Sequence, residues 1–427
     1  MTLQLPKGTR DLKQEEAIVK DKIVGTLKKV FEVYGYNPLE TPVFERYDIL
    51  ASKYAGGAEI LKETFKFKDQ GQRDLALRYD LTVPMCRFVG MNPNIKLPFK
   101  RYAIGEVFRD GPVEKARYRQ FTQCDIDVVG IKGMTADAEI IALTQRAFKK
   151  LGFDAVIKVN NRKLLNDLLL NANVKKDKLD TAILSIDKLN KFGLEAVKKE
   201  LKEKKVDDET INKITTIIDI KGSNDEKIDK IKRLVKESEG TAEIEELISL
   251  LAILKVNVDF DVSLARGLSY YTGTVIEVYL KDSAVKSAVC AGGRYDKMIG
   301  SFLGKGDYPA VGISFGLDRV YDAYIEKTNE TKKSVTQVYI IPINTFNESL
   351  KIAEELRNEN VNIDIDLTEK GPSKNLKYAN SLGIPYVLFV GEEELKQGKV
   401  KLKDMNSGKE QLMSAEELVV FLNKNLE

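Results

Sequence analysis

The sequence FKRYAIGEVFRDGPVEKARYRQFTQCDIDVVG, residues 99–130, contains two stretches with the alternation of β-strands on either side of a polar loop. Side chains of an extended strand point alternately to opposite faces of a sheet. In the second stretch, Gln123, Asp125 and Asp127 therefore share one face, whereas the apolar residues between them face a core. The pattern predicts an antiparallel hairpin that carries polar and charged groups on one side.

Basic residues are concentrated around the loop of this hairpin. Arg109 ends the first strand, and three more basic residues lie on or beside the loop: Lys115, Arg117 and Arg119. Guanidinium groups suit phosphate, and carboxylates suit an ammonium or a ring N–H. A salt-bridged hairpin without a ligand is the alternative, but buried arginines of like charge are costly unless an anion binds. The whole pattern therefore favours a ligand site.

Composition limits the class of protein. With 427 residues, 43% hydrophobic and 31% charged, the chain is expected to be a soluble globular protein of two or three domains. The 68 basic and 65 acidic residues nearly balance, which argues against bulk attraction to nucleic acid but leaves local basic patches open. Three widely spaced cysteines favour neither a zinc site nor disulfides. We find no secretory signal and no apolar run of membrane-spanning length, so we expect a cytoplasmic protein.

The chain contains no histidine. A histidine base, nucleophile or metal ligand is therefore excluded, and any chemistry must use arginines, carboxylates, tyrosines or a bound metal.

The domain organisation follows from changes in composition along the chain. Residues 161–255 lack proline and carry apolar residues at helical spacing, which predicts an all-helical insertion. The polar segment 327–333 is a predicted linker. Residues 334–427 alternate strands with helices, which predicts a compact α/β domain with a parallel core. We assign residues 1–326, interrupted by the insertion, to the core that carries the site.

Three further segments carry polar residues of interest. In LRYDLT, residues 77–82, the Asp80 carboxylate and the Thr82 hydroxyl could hold a substrate ammonium, or Thr82 could cap a helix with Pro84 in its first turn. The glycine pair of GGRYD, at 292–296, would let a backbone approach a ligand closely, although such a pair is usually only a turn. The proline-interrupted segment 36–45 predicts an edge or interface strand.

Several motifs together resemble the histidyl-tRNA synthetases, a family of class II aminoacyl-tRNA synthetases. The resemblance runs nearly end to end and is carried by PKGTRD at 6–11, TPVFE at 41–45, LRYDLT at 77–82, FRDGPVEKARYRQFTQCDID at 108–127, ARGLSYYTG at 265–273, GGRYD at 292–296 and VGISFGLDR at 311–319. It implies an α+β fold, in which a class II catalytic domain (an antiparallel sheet flanked by helices) contains the helical insertion and precedes an α/β anticodon-binding domain. It also implies a homodimer with the strand near Pro42 at its interface.

The resemblance implies a reaction and roles for individual residues. The reaction is the ATP-dependent activation of L-histidine to histidyl-adenylate and its transfer to the 3′ end of tRNA(His), with Mg²⁺ accompanying ATP and no metal motif in the sequence. Arg109 and Arg266 would be catalytic at the α-phosphate, while Arg117 and Arg319 would bind the distal phosphates. The implied histidine-binding residues are Asp80, Thr82, Gln123, Asp127, Tyr270, Tyr271 and Arg294. Among them, Asp127 and Tyr271 would bracket the imidazole.

Two other functions remain as alternatives. A catalytically inactive, synthetase-like regulatory subunit of histidine biosynthesis shares the catalytic fold but lacks the C-terminal domain and usually part of the arginine set. Because Arg109, Arg266, Arg319 and that domain are all present, an enzyme is favoured. A related synthetase for another amino acid is disfavoured by RGLSYYTG.

Overall fold

A computed structural model of the chain describes residues 2–54, 61–113, 118–267, 270–304, 306–368 and 370–425. The chain divides into two units, one formed by residues 1–10 with 23–329 and the other by residues 11–22 with 330–427. Across the described ranges, no helix has the length and apolar character needed to cross a bilayer.

The larger unit contains a central sheet and a small second sheet. Its strands are β1 Asn37–Pro38, β2 Phe44–Arg46, β3 Lys66–Lys68, β4 Asp74–Leu77, β5 Phe99–Phe108, β6 Gln120–Val129, β7 Ala155–Asn161, β8 Asp259–Phe260, β9 Thr274–Leu280, β10 Cys290–Arg294 and β11 Ala310–Gly316. The central sheet has the order β1-β5-β6-β11-β10-β9-β7-β8, and the small sheet has the order β2-β4-β3. The central sheet is antiparallel except where β1 joins β5 and β8 joins β7. This agrees with the predicted antiparallel sheet and with the hairpin of residues 99–130.

One face of the central sheet is a closed hydrophobic core. Cys124, Ile126 and Val128 of β6 are buried, as their alternation predicted. Phe31 and Phe148 come from helices on this side, and their rings lie 5.7 and 5.5 Å from the ring of Phe315 on β11. Packing on this side leaves the opposite face of β6 to the polar residues.

Helices accompany the sheets and form the insertion. The described helices that lie before the C-terminal unit and outside the insertion are Gln14–Val33, Tyr47–Tyr54, Thr82–Met91, Thr135–Lys150, Met298–Leu303 and Leu317–Thr328. The insertion contains Arg162–Asn171, Leu179–Ile186, Leu189–Phe192, Leu194–Glu203, Asp208–Ile218, Asn224–Leu234 and Glu239–Ile253, with a 3₁₀ turn at Lys176–Lys178. Side chains of Asn161, Asp207, Ser223 and Ser238 accept hydrogen bonds from the first turns of four of these helices, which explains where they begin.

The C-terminal unit has its own sheet. Its strands are β12 Val338–Ile343, β13 Ile363–Ile365, β14 Tyr386–Gly391, β15 Val400–Asp404 and β16 Glu410–Met413, in the order β13-β12-β14-β15-β16. The helices of this unit are Phe346–Asn358, Pro372–Ser381, Glu392–Lys396 and Ala415–Asn425. Strands β13, β12 and β14 are parallel, as the alternation of strands and helices predicted, whereas β15 and β16 form an antiparallel hairpin.

One predicted strand differs in the structure. The segment 36–45 is not a single interrupted strand, because β1 joins the central sheet and β2 joins the small sheet. Pro38 lies in the edge strand β1, where a missing backbone N–H costs little. Of the apolar segment 256–262, only the two residues of β8 join the sheet.

The contact between β6 and β11 requires a glycine at position 312. A Cβ added to Gly312 would lie 1.9 Å from Asp127 Oδ1 and 2.9 Å from the Ile126 carbonyl oxygen. We therefore expect Gly312→Ala to lower the free energy of unfolding by about 1–3 kcal/mol, measured by urea unfolding with circular dichroism. As the control, Gly25→Ala in a helix meets no heavy atom within 4 Å and should stabilise by about 0.5–1 kcal/mol. Equal effects of the two changes would contradict this account of the strand contact.

Candidate active site

The polar face of β6 is bordered by small side chains. Strands β5 and β11 pair with β6 on either side, and their register places Asp125 between Ala103 and Ser314. Small residues lie along this face beside β6: Ala103, Gly105, Gly312, Ser314 and Gly316. Arg101, opposite Asp127, is the one large side chain among the residues paired with Gln123, Asp125 and Asp127, so the neighbouring strands leave space beside Gln123 and Asp125.

A cavity of about 400 Å³ lies at the Gln123 end of this face. Gln123 lines it together with the predicted arginines Arg109, Arg266 and Arg319. These arginines come from distant parts of the chain: Arg109 follows β5, Arg266 lies between β8 and β9, and Arg319 lies in the first turn of Leu317–Thr328. The resemblance implied that these three arginines serve one nucleotide, and in the structure they line one cavity and make it strongly cationic.

Specific contacts orient the Arg109 and Arg319 side chains. The Arg109 guanidinium lies over the rings of Tyr79 and Phe121, at 4.2 and 4.9 Å from their centroids. Arg319 donates from Nη1 to the carbonyl oxygen of Ala288 at 2.7 Å. Cation–π contact and a backbone acceptor restrict these long side chains while leaving charge at the cavity.

Arg266 is held by a carboxylate. Its Nη1 donates to Glu277 Oε1 at 2.7 Å, and its buried Nε has no hydrogen-bond partner among the described residues. Burial opposes the charge of Arg266, but Tyr271 and Glu277 outweigh that effect and raise its pKa. Arg266 is therefore a fixed cation whose Nε–H remains available to donate a hydrogen bond to a ligand.

Asp127 lies farther along the same face, outside the lining of the cavity. Its Oδ1 accepts a hydrogen bond from the Tyr295 hydroxyl, and its Oδ2 lies 2.6 Å from Arg101 Nη2. Burial raises the pKa of Asp127, and the charge of Arg101 opposes that rise. Both partners are themselves buried, and Arg101 is only 1% exposed. The acidic end of the face is thus organised around one buried ion pair.

Asp80, and not Thr82, caps the helix Thr82–Met91. Asp80 Oδ1 accepts from the backbone N–H of Thr82 at 3.0 Å and of Val83 at 2.9 Å. The prediction that Thr82 is the N-cap is wrong, because Thr82 is already the first helical residue. The helix thus fixes the Asp80 carboxylate, which interacts electrostatically with both Asp125 and Asp127.

The tyrosine pair connects the acidic end with the cationic cavity. The rings of Tyr270 and Tyr271 have centroids 4.7 Å apart, and Tyr270 contacts the ring of Tyr295 edge-on at 6.3 Å. Tyr271 also makes a side-chain hydrogen bond with Arg266. Tyr295, the partner of Asp127, is therefore linked through these rings to Arg266.

Arg294 is buried, and its side chain binds other residues of the protein. It is 1% exposed, and it donates to the carbonyl oxygens of Ile131 and Gly133 and to the carboxylates of Asp137 and Asp296. All of its nitrogen atoms are engaged within the protein. The structure therefore places Arg294 beneath the site, where it supports the segments that border it.

The hairpin loop holds the remaining predicted arginine. Arg117 and the neighbouring Lys115 lie outside the described residues. Arg119 pairs with Asp110 at 3.2 Å and donates to the carbonyl oxygen of Gly111 at 3.2 Å. The salt-bridged hairpin that was the alternative to a ligand site is therefore correct for Arg119.

The sequence did not single out several residues of the site. Arg101, Glu277, Tyr295 and Ser314 all hold a predicted site residue in place. Arg101 could have been found, because pairing Arg109 with Arg119 across the loop also places Arg101 opposite Asp127. Tyr295 and Ser314 meet their partners across 168 and 191 positions of sequence, for which the sequence carries no local signal. Glu277 lies only 11 positions after Arg266.

Unsatisfied polar atoms concentrate on this face. Within the described residues, buried side-chain atoms without a hydrogen-bond partner include Arg101 Nε and Nη1, Gln123 Oε1, Asp125 Oδ1, Asp127 Oδ2 and Arg266 Nε. A buried polar group without a partner costs about 1–3 kcal/mol. Their clustering indicates a site that a polar ligand completes.

The central sheet is largely antiparallel, its polar face carries carboxylates, and an arginine-lined cavity adjoins that face. With an α/β unit following in the chain, this is the arrangement of a class II aminoacyl-tRNA synthetase. Comparison with known proteins identifies the family. The family model described as histidyl-tRNA synthetase matches residues 8–320, and that of the anticodon binding domain matches residues 337–425. The chain belongs to the histidyl-tRNA synthetase family.

Individual relatives agree with this assignment. Histidine–tRNA ligase 1 of Bacillus cereus is 43% identical over 416 residues, which cover 96% of this chain and 97% of that protein. The crystal structure of histidyl-tRNA synthetase from Nostoc sp. PCC 7120 is similar with a TM-score of 0.88 and 30% identity, and the match covers 100% of both chains. The predicted class II fold and the prediction of a histidine–tRNA ligase are confirmed.

The regulatory alternative receives weaker support. A structure described as an ATP phosphoribosyltransferase regulatory subunit/histidyl-tRNA synthetase from Bacillus halodurans C matches with a TM-score of 0.76 and 22% identity, covering 92% of this chain and 99% of that one. At this identity the likeness shows the fold alone. The cavity lined by Arg109, Arg266 and Arg319 and the matched anticodon-binding domain favour the enzyme.

Breaking the buried pair of Arg294 and Asp137 should destabilise the folded protein. Arg294→Met leaves Asp137 buried without its partner, so we expect a loss of about 3–5 kcal/mol in the free energy of unfolding. Burial already raises the pKa of Asp137, and loss of the arginine raises it further. Because the unpaired carboxyl folds more readily when protonated, the loss should grow from pH 5 to pH 8.

The double variant Arg294→Met/Asp137→Asn is the control, since it removes the buried charge. It should be more stable than Arg294→Met, and its loss of stability relative to the wild type should no longer grow with pH. Urea unfolding at both pH values measures this. An equal loss at the two pH values, with no recovery in the double variant, would contradict the role given to the pair.

Proposed function

We propose that the face of β6 binds L-histidine and that the adjoining arginine cavity binds ATP. The chain then forms histidyl-adenylate and passes the histidyl group to the 3′ end of tRNA(His). The observation that carries the proposal is the convergence of Arg109, Arg266 and Arg319 on one cavity beside the polar face of β6.

The arginines divide the phosphates of ATP among them. Arg109 and Arg266 contact the α-phosphate, where Arg109 stacks on aromatic rings and Arg266 keeps its Nε free. Arg319, and Arg117 in the loop, bind the β- and γ-phosphates. Planar guanidinium groups can donate two parallel hydrogen bonds to a phosphate, which fixes its orientation as well as its charge.

Histidine lies with its two ends in different environments. Asp80, Thr82 and Gln123 surround its ammonium, and Asp127 and Tyr271 bracket its imidazole. Tyr270 packs against Tyr271, and Arg294 acts as a positioning residue, because its donors are used within the protein. Asp127 can accept from one ring nitrogen, while the hydroxyl of Tyr271 can accept from or donate to the other.

The first chemical step follows from this placement. A carboxylate oxygen of histidine attacks the α-phosphorus, the bond from that phosphorus to the bridging oxygen breaks, and pyrophosphate leaves with the electron pair. No general base is needed, because the nucleophile is already ionised. Negative charge grows on the α-phosphate oxygens in the transition state, and fixed donors such as Arg266 stabilise it more than the ground state. In the second step a ribose hydroxyl of the tRNA attacks the histidyl carbonyl carbon, and the bond from that carbon to the phosphate oxygen breaks. AMP leaves with the electron pair, and the hydroxyl proton passes to the solvent.

Mg²⁺ enters with ATP in this proposal. Among the described residues there is no group of three or more histidine, cysteine, aspartate or glutamate residues that could hold a metal ion. One or two carboxylates are all that the protein needs to supply to Mg²⁺, because this ion keeps several waters and is otherwise bound by substrate phosphates. When bound, Mg²⁺ would neutralise charge on the phosphates.

The rest of the chain supports transfer to tRNA. Residues 1–326 form the catalytic core, interrupted by the helical insertion 161–255, and residues 334–427 bind the anticodon after the linker 327–333. The match of the anticodon-binding family to residues 337–425 supports this division. We further propose a cytoplasmic homodimer with the segment near Pro42 at its interface; its edge strand β1 is consistent with that placement.

Removing the Arg266 guanidinium tests the assignment of the cavity. Arg266→Ala should reduce histidine-dependent ATP–pyrophosphate exchange by about 10²–10³-fold, the usual cost of one preorganised transition-state donor. Its unfolding midpoint should stay near that of the wild type, because Glu277 keeps a hydrogen bond from Tyr279. Arg266→Lys, which keeps the charge and loses the planar fork, should give an intermediate rate.

Arg73→Ala is the matched control, since Arg73 is exposed on the hairpin of the small sheet and pairs with Asp69. It should exchange at the wild-type rate. Near-normal exchange by Arg266→Ala would refute its assigned role, and exchange that depends on an amino acid other than histidine would refute the substrate.

A further inference from the structure

Gln123 and Asp125 present two unsatisfied acceptors on the same face of β6. Gln123 donates from Nε2 to Ser314 Oγ at 2.8 Å, and Ser314 in turn makes a hydrogen bond to the Asp125 carboxylate. This chain of donors fixes the orientation of the Gln123 amide, so that its carbonyl oxygen is the free end. Among the described residues, the buried atoms Gln123 Oε1 and Asp125 Oδ1 have no donor. A ligand that fits here must therefore donate hydrogen bonds.

The electrostatics of this position favour a cation. Asp125 is 3% exposed, and burial raises its pKa to about 7; Arg101 and Ser314 oppose the rise, while Asp127 and Asp80 add to it. Electrostatic interactions with Asp125 come from Cys124 and Asp127 on its own strand and from five groups on surrounding elements: Arg78, Asp80, Arg101, Tyr271 and Cys290. The cations do not compensate the carboxyls fully, so near neutral pH Asp125 is divided between its two protonation states.

The ammonium of the substrate is the group that meets both requirements. It carries a positive charge and three N–H donors, whereas a neutral imidazole has a single N–H. Asp127, two residues farther along β6, accepts a hydrogen bond from Tyr295 at Oδ1. Its Oδ2 lies 2.6 Å from Arg101 Nη2 but has no hydrogen-bond partner among the described residues, and we assign this acceptor to the imidazole. Asp125 lies between Asp127 and Gln123.

We propose that Asp125 is a further residue of histidine recognition, whose Oδ1 accepts a hydrogen bond from the α-ammonium beside Gln123 Oε1. This inference rests on the histidine site proposed above and adds a residue to it. Because only the ionised carboxyl pairs with an ammonium, binding draws Asp125 into its charged form. The fraction of the protein in which Asp125 is protonated therefore releases a proton when histidine binds.

Calorimetric titration of the full-length protein with three ligands tests the proposal. Histidine and histidinol carry the ammonium, whereas 3-(imidazol-4-yl)propionate lacks it. Asp125→Asn keeps the shape of the side chain and removes its charge, so it should weaken histidine and histidinol by about tenfold or more and leave the propionate unchanged. Equal weakening of all three ligands would show a merely structural residue and overturn the proposal, as would no weakening of any.

The pH dependence gives a second readout. Ionised Asp125 binds the ammonium better, so the ratio of the variant's Kd to the wild-type Kd for histidinol should rise between pH 6 and pH 8. In buffers of different ionisation enthalpy near pH 7, the wild type should release more protons than the variant. The ligand's own imidazole contributes equally to both proteins and cancels in the comparison. Equal proton release by the two proteins would overturn the proposal.

Ser314→Ala provides an independent variant, in case Asp125→Asn does not fold. It removes a donor that stabilises the Asp125 carboxylate, so proton release should move to higher pH, and an unchanged profile would overturn the proposal. Wild-type protein that neither binds histidine nor exchanges pyrophosphate would refute the proposed function itself. A wild type that is active with histidine beside an Asp125→Asn variant of unchanged affinity would refute only the present inference.

Discussion

The register of three adjoining strands, β5, β6 and β11, is the constraint on which the site depends. Antiparallel pairing places Arg101 and Gly312 on either side of Asp127, and Ala103 and Ser314 on either side of Asp125. Because side chains alternate along a strand, a shift by one residue would turn the carboxylates of β6 into the hydrophobic core. The aromatic packing on the other face holds the register in place, so core packing and ligand recognition are properties of the same strands.

The site is electrically polarised along this face. The Asp127 carboxyl lies at one end, paired with the buried Arg101, and cationic arginines line the cavity at the other. The proposed orientation of histidine matches that polarity, because its imidazole would lie at the Asp127 end and its reacting carboxylate beside the arginines. Fixed charges of this kind need little reorganisation during the reaction, which is how preorganised sites lower a barrier.

Much of this arrangement could be predicted from the sequence, though by two different routes. Alternation along residues 99–130 was sufficient to place Gln123, Asp125 and Asp127 on one face. The convergence of Arg109, Arg266 and Arg319 needed the resemblance to a family, since no local pattern brings such distant segments together. The partners that hold these residues were not predicted; Ser314, for example, meets Gln123 across 191 positions of sequence. Local chemistry also misled, because an aspartate two residues earlier took the capping role given to Thr82.

The most direct test of the central claim is a crystal structure of the protein with histidine and a non-hydrolysable ATP analogue, in which the distances from the ligand atoms are measured. The account predicts the α-phosphate within hydrogen-bond distance of Arg109 and Arg266, and the histidine ammonium at Gln123 with its imidazole at Asp127. A nucleotide bound away from these arginines, or a histidine lying in the reverse direction, would contradict it.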